Sequence, residues 1–184
     1  LEGEPSLPLV LSVLLHDIAK PATFTHEEGD RIRFNGHDKV GAEMAREITR
    51  RLKYPNEIVG EVEAMVLNHM VFKDVQHMRT SKLKRLMSRE TFQDEMELHR
   101  VDCLGSWGGL DNYEFLRDKE VEFANAPIIP PRLVTGGDLI ALGWKPGPAM
   151  GHVLRQIQDL QLEGALQNSE QAMAWLRENY PDKG

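Results

Sequence analysis

The chain has 184 residues, 41% of them hydrophobic and 28% charged, which is the make-up of a globular protein able to bury a sizeable core as one domain or one domain with a small appendage. A formal net charge of −7 argues against a free-standing, nonspecific nucleic-acid binder, although it allows a local basic patch. No apolar run approaches the roughly 20 residues of a membrane span, and the single Cys103 excludes an internal disulfide framework and fits a reducing cytoplasm.

The chain opens on Leu rather than Met, so it is expected to be a piece of something longer, cut upstream. Leu1 to Ser6 leads straight into an apolar run over residues 7–15. That run has no basic segment before it and no small-residue cleavage site after it, so it does not read as a secretory signal. Residues 7–18 are apolar on nearly every side, which predicts a helix packed all round in a core. The helix ends in His16-Asp17-Ile18-Ala19-Lys20-Pro21, where Pro21 disfavours helical geometry at Lys20. An ionisable pair at the inner end of a buried helix is costly unless something compensates it, most simply a bound cation.

Residues 22–34 predict a loop with hairpin character around a polar Glu27-Glu28-Gly29-Asp30 turn. A helix follows from about His37 to Lys53, with His37, Gly41, Met44, Ala45, Ile48 and Leu52 on its inward stripe. Pro55 and Asn56 start the next helix, with Asn56 as its N-cap and Val62, Met65, Val66 and His69 on its apolar face. A polar helix from about Ser81 gathers Arg79, Lys82, Lys84, Arg85 and Arg89 within eleven residues. From about Glu90 a further helix turns Leu98, Val101, Asp102 and Gly105 inward. Residues 107–126 predict one more amphipathic helix, beginning near Asp111.

Pro127, Pro130 and Pro131 form the one convincing linker, dividing residues 1–126 from residues 127–184. Beyond it come a short capped helix over residues 138–143, a turn over 144–148 and a helix of about fifteen residues. The last helix runs from Ser169 to Asn179 behind an Asn168/Gln171 capping box. The fold class is therefore all-α, a helical bundle followed by a small helical tail, with about seven to nine helices.

His16 with Asp17, His37, His69 and Asp102 each interrupt a face that should be apolar. A lone core histidine is ordinarily satisfied by a backbone carbonyl, and Asp102 by an arginine such as Arg100 or Arg46. Those readings need a separate partner for every residue, whereas one divalent cation or a pair serves all five. The mixed nitrogen and oxygen donors suit manganese, iron, nickel, zinc or magnesium better than calcium, and the lack of a cysteine in the set argues against a structural zinc knot. The five side chains are expected within a sphere of about 6–8 Å, since bonds to such metals are only about 2.0–2.2 Å.

Leu14-Leu15-His16-Asp17-Ile18-Ala19-Lys20-Pro21, then Phe34-Asn35-Gly36-His37-Asp38, His69-Met70 and Val101-Asp102, resemble the HD-domain metal-dependent phosphohydrolases. More narrowly, the chain resembles the HD-containing half of bacterial tRNA nucleotidyltransferases and related poly(A) polymerases. The tail carries that narrower likeness through Pro131 to Ile140, through Leu142-Gly143-Trp144-Lys145-Pro146-Gly147-Pro148, and through Leu162-Glu163-Gly164 with Trp175-Leu176. The nucleotidyltransferase head, with its glycine-serine signature and paired aspartates, is missing from the sequence, so nucleotide addition is not expected. The family's site also takes a histidine from a helix before the His-Asp pair; here that ligand is expected upstream of residue 1.

The resemblance implies metal-dependent phosphoester hydrolysis on a phosphoester or nucleotide substrate. His16, Asp17 and Asp102 would hold a metal, and His37 and His69 a second one or the water and phosphate. Asp17 and Lys20 would be catalytic, with Lys20 stabilising charge on a phosphate oxygen or else simply favoured at a helix C-terminus. The Arg79–Arg89 cluster is the candidate contact for tRNA or other RNA. The alternative is a non-catalytic module that grips RNA with a degenerate metal site. A nucleotide-binding regulatory HD domain is a third reading, which the tail disfavours.

Overall fold

Ser6 and Pro8 set the first helix. The Ser6 side chain accepts from the Leu9 N–H, Pro8 supplies the fixed backbone angle of the first turn, and α1 runs Leu7–Leu15. The structure, a computed structural model, describes residues 4–29, 31–106 and 108–181. Leu1 to Gly3 of the leading segment, Asp30 of the polar turn and Trp107 at the head of the expected 107–126 helix lie outside the described residues. Among the described residues there are nine α-helices and no strand, and none of these helices is long and apolar enough to cross a membrane. The expected hairpin is reduced to one antiparallel bridge between Thr25 and Arg33.

The chain divides into two compact units, Leu1–Gln76 with Arg89–Val121, and His77–Ser88 with Glu122–Gly184. The sequence division at residue 126 did not anticipate that the segment 77–88 leaves the first unit for the second. In the first unit α2 (His37–Arg51), α3 (Asn56–Asn68) and α5 (Phe92–Gly105) pack around α1. Ala42 and Ala45 of α2 meet Leu15, Val62 and Val66 in one apolar cluster, and Leu9, Met65 and Leu98 form another. Small residues bring these backbones close. A Cβ on Gly41 would lie 3.4 Å from Val66 and 3.6 Å from the His16 carbonyl oxygen, so α2 presses on both α3 and the end of α1. α3 continues into a 3-10 stretch, His69–His77, whose Phe72 and Val75 are fully buried. The start of α6 (Asp111–Phe123) is tied to that stretch, since Asn112 accepts from Gln76 and donates to the Lys73 carbonyl.

In the second unit α4 (Thr80–Met87) packs on α8 (Pro148–Leu162), with Ser81 donating to Glu163 at 2.7 Å. α7 (Gly136–Ala141) opens with a full capping box between Thr135 and Asp138. Together with α9 (Ser169–Asn179) these helices close over Val134, Leu139, Trp144, Val153, Ile157 and Leu176.

Several local expectations fail for physical reasons. α1 is not buried all round: Leu7, Val10 and Leu14 are exposed along one stripe, Leu14 by 75%. Leu52 falls beyond the last turn of α2 and is exposed, and Gly105 at the end of α5 is exposed as well. The buried face of α5 is instead Phe92, Glu95, Met96, Leu98 and His99. Pro55, not Asn56, caps α3, and no side chain closes that end. In the last helix Asn168 caps the Gln171 N–H, but the Gln171 side chain returns to the Gln167 N–H one residue early.

Candidate metal centre

The three histidines are fixed in the same way. His16 Nδ1–H donates to the Val13 carbonyl at 2.9 Å, His37 Nδ1–H to Phe34 at 2.7 Å and His69 Nδ1–H to Val66 at 2.6 Å. A carbonyl can only accept, so each ring carries a proton on Nδ1 and turns Nε2 the other way, where a metal can take the place of any second proton. All three Nε2 atoms point into one cluster. His37 and His69 meet Nε2 to Nε2 at 3.1 Å, and His37 Nε2 lies 3.5 Å from Asp17. His16 Nε2 lies 3.3 Å from Asp17 and 3.5 Å from Asp102. Asp102 therefore faces His16, while Arg100 pairs with Glu97 and Arg46 with Glu63. The donor atoms form two groups that share one carboxylate: Asp17 with His37 and His69, and His16 with Asp17 and Asp102, each group within 4.8 Å.

This arrangement fits a cation. His16 Nε2 is buried with no hydrogen-bond partner, because its two carboxylate neighbours stand close but out of line. At His37 and His69 two lone pairs face one another unless a proton or a metal comes between them. The field has the matching sign. The Asp102 and Asp17 carboxylates raise the His16 pKa to about 10, so in the metal-free chain a positive charge already sits between them. Burial pushes the Asp17 carboxyl up, but His16 and Lys20 outweigh it and hold it well below the usual carboxylate range. The close approach of His16 also lowers Asp102, and burial lowers His69, which disfavours the charged imidazole there.

The cluster opens on a cleft of about 580 Å³. Lys20, whose ammonium pairs with Asp17 and stands 5.8 Å from the centre of the Phe34 ring, lines it. So do Arg31, Arg33, Lys73 and Asp38. Of these cations only Lys20 was expected. Lys73 carried no usable signal, since the segment His69–His77 is a 3-10 stretch, in which residues four apart do not share a face.

The five cations expected to contact RNA are not brought together as one free patch. Arg85 is engaged by Asp159 and Gln158, and Lys84 sits over the Phe123 ring at 5.0 Å. Arg89 pairs at 2.9 Å with Glu95, a carboxylate that is 1% exposed. Arg79 and Lys82 alone of the five are exposed.

Comparison with known proteins agrees with the geometry. Residues 3–104, more than half the chain, match the HD domain family. The chain belongs to the HD-domain family. HD domains bind divalent metals, and among the described residues the His/Asp cluster suits one. Residues 129–176 match the family described as tRNA nucleotidyltransferase domain 2. The HD-domain chain is 31% identical over 96% of its length to an A-adding tRNA nucleotidyltransferase of Deinococcus radiodurans, and 33% identical over 94% to a CC-adding tRNA nucleotidyltransferase of Thermus thermophilus. It spans 43% and 40% of those two proteins. A multifunctional CCA protein of Neisseria meningitidis matches over 54% of the chain and 25% of its own length, at 28% identity. No solved structure matches.

Proposed function

We propose that this chain is the metal-dependent phosphohydrolase part of an RNA-processing protein, with residues 1–126 as the hydrolase domain and residues 127–184 as a helical tail. The observation that carries the reading is the pair of ligand groups sharing Asp17 at the floor of a cleft rimmed by lysine and arginine. The substrate is a phosphomonoester or a 2′,3′-cyclic phosphodiester of the kind found on RNA ends, and the lone Cys103 suits work in the cytoplasm. The names of the tRNA-acting relatives support an RNA partner. Manganese, nickel, magnesium, iron or zinc satisfies the donor set.

When bound, such a cation supplies Lewis acidity and an acidified water for attack on phosphorus. The chain's own residues do the rest. Asp17 and Asp102 provide the negative charge that retains the cation, and the carbonyl-anchored imidazoles hold their lone pairs in place without reorganising. Lys20 and Lys73 line the cleft where phosphoryl oxygens gather charge. Asp38 lines the same cleft but belongs to neither ligand group.

Purified protein loaded with manganese should hydrolyse 2′,3′-cyclic or 2′-phosphate ends, and chelation should stop it. Asp17→Ala should abolish the activity, whereas Asp38→Ala should keep a measurable fraction. Stoichiometric metal with no cleavage of any such phosphoester would sink the enzyme reading. The RNA-gripping module would then be the better account; the exposed Arg79 and Lys82 and the nucleotide-adding relatives favour it.

A further inference from the structure

Two lysines line the metal cleft, and the backbone beneath each one sets it a different task. After Leu15 the chain leaves α1 through tight turns: the Ile18 N–H bonds to the Leu15 carbonyl at 3.1 Å, and the Lys20 N–H to the Asp17 carbonyl at 3.0 Å. Bonds of that span give three residues per turn, so side chains at i and i+3 lie one over the other. Lys20 therefore stands over Asp17, and its ammonium pairs with Oδ2 of that carboxylate. The same ammonium lies 5.8 Å from the centre of the Phe34 ring, and the Phe34 carbonyl holds His37. Oδ2 also faces His16, whereas Oδ1 faces His37. Lys20 is thus a cation already seated on the carboxylate that both ligand groups share.

Lys73 is set differently. In the 3-10 stretch three residues per turn put His69, Phe72 and Val75 on one buried face and Met70 with Lys73 on the next, and those two line the cleft. The backbone there is held from both sides: Phe72 and Val75 are fully buried, and the Lys73 carbonyl accepts from Asn112 at 3.1 Å. The Lys73 side chain is exposed, and among the described residues no acid forms an ion pair with it. Its charge still reaches the cluster, since the Asp102 carboxyl is lowered chiefly by His16 and further by Lys73. An ammonium on an anchored backbone, matched by no acid, suits an anion arriving from solution, and a bond from it to a phosphoryl oxygen is charge-assisted. Using Lys20 for that anion would take a partner from Asp17; using Lys73 displaces only water.

We infer that the two lysines divide the work of the site: Lys73 takes the phosphoryl oxygens of the substrate, and Lys20 is a resident counter-cation with which the metal must share Asp17. Lys20, expected from the sequence to be catalytic, thereby sets the affinity of the centre for its metal. This division rests on the phosphohydrolase reading of the metal cleft.

Calorimetry on the full chain tests both halves with two titrants, manganese alone and then methylphosphonate on the manganese-loaded protein. Lys73→Met should weaken methylphosphonate by about tenfold or more while manganese affinity stays within about twofold, and Lys73→Arg should recover most of the loss. Lys20→Met should move the other quantity: manganese should bind about tenfold tighter, because a competing charge has left Asp17, while methylphosphonate weakens by less than about threefold. If Lys20→Met does not fold, Lys20→Gln, which also removes the charge, takes its place. Wild-type methylphosphonate affinity in Lys73→Met overturns the role of Lys73, since Arg31 and Arg33 on the same cleft would then be carrying the anion. A Lys20 variant that binds manganese no tighter, or that loses more methylphosphonate affinity than Lys73→Met, overturns the role of Lys20. Wild type that takes no manganese, or takes manganese and no methylphosphonate, overturns the phosphohydrolase reading itself and the division with it.

Discussion

Asp17 is the member common to both ligand groups, so Asp17→Asn is the sharpest perturbation of the site. Asparagine keeps the shape and one oxygen donor but removes the charge. Two unit charges about 4 Å apart interact by about 4 kcal/mol at an effective dielectric of about 20, and a divalent ion doubles that to about 8 kcal/mol. The Asp17 side chain is 34% exposed, and the amide oxygen still donates, so solvent and the residual ligand recover roughly half. The expected loss is about 3–4 kcal/mol, or about 10²–10³-fold in manganese affinity. In a thermal-shift titration, stabilisation by metal follows the logarithm of concentration over Kd, so the same amount disappears from the metal-dependent gain once binding is saturating in wild type. Asp102→Asn touches only the group containing His16 and should cost less. If Asp17→Asn titrates like wild type, or if Asp102→Asn proves the more damaging, the shared-carboxylate arrangement is wrong.

Other consequences follow from particular contacts. Ser12 is fully buried and its hydroxyl has no partner, so Ser12→Ala should raise stability by about 1 kcal/mol in urea unfolding. Arg89→Ala leaves the buried Glu95 carboxylate with only the Thr91 hydroxyl and should cost about 2–3 kcal/mol, whereas Arg79→Ala and Lys82→Ala should leave the melting temperature in place and, on the RNA-gripping reading, weaken RNA binding with a shallower salt dependence in filter binding. The metal-free protein should show a pH optimum of stability. His16, raised from 6.5 to about 10, contributes fully below its unfolded value and loses that contribution as pH rises towards 10. Asp17 and Asp102 are depressed, so theirs is present above 3.8 and is lost as acid protonates them. Burial lowers His69 and His99, so their contribution is full above 6.5 and falls away in acid; thermal melts in chelator should therefore peak near about pH 6.5, and a maximum above pH 9 would contradict the ion cluster.

Much of this was legible in the residue pattern, because a polar group on an apolar helix face has to be satisfied by something. His37 and His69 sit on such faces at positions where the neighbouring stripe residues are buried, so their inward direction follows from helical period alone. Asp102 was legible only in part. It is half-buried at the rim of α5, and its membership comes from a contact with His16 that lies 86 positions away, which period cannot reveal. What engages three of the five basic residues was illegible for the converse reason: counting lysines and arginines along the chain does not count the groups that packing sets against them. Glu95, Asp159 and the Phe123 ring lie 6, 74 and 39 positions from their partners. The departure of residues 77–88 into the second unit was likewise illegible, since the apolar stripe of α4 says that it packs but not on which core.

The histidines also show why the site lies where helices begin and end. A helix leaves its last carbonyls without intrahelical partners, and something must take them. Val13 and Val66 stand in the last turns of α1 and α3, and the histidines at the two C-caps, His16 and His69, fold back to donate to them. His37 makes the same bond at the start of α2, to the Phe34 carbonyl three residues before it, which also accepts the His37 backbone N–H. The bonds at the two C-caps close a backbone deficit, and all three fix a proton on Nδ1 and aim Nε2. Local helix termination therefore sets the ligand orientation, and packing through Gly41 only has to bring three termini to one point. It follows that lengthening α1 by a turn would misaim His16 even with every ligand residue retained, because the carbonyl that orients its ring would already be bonded within the helix.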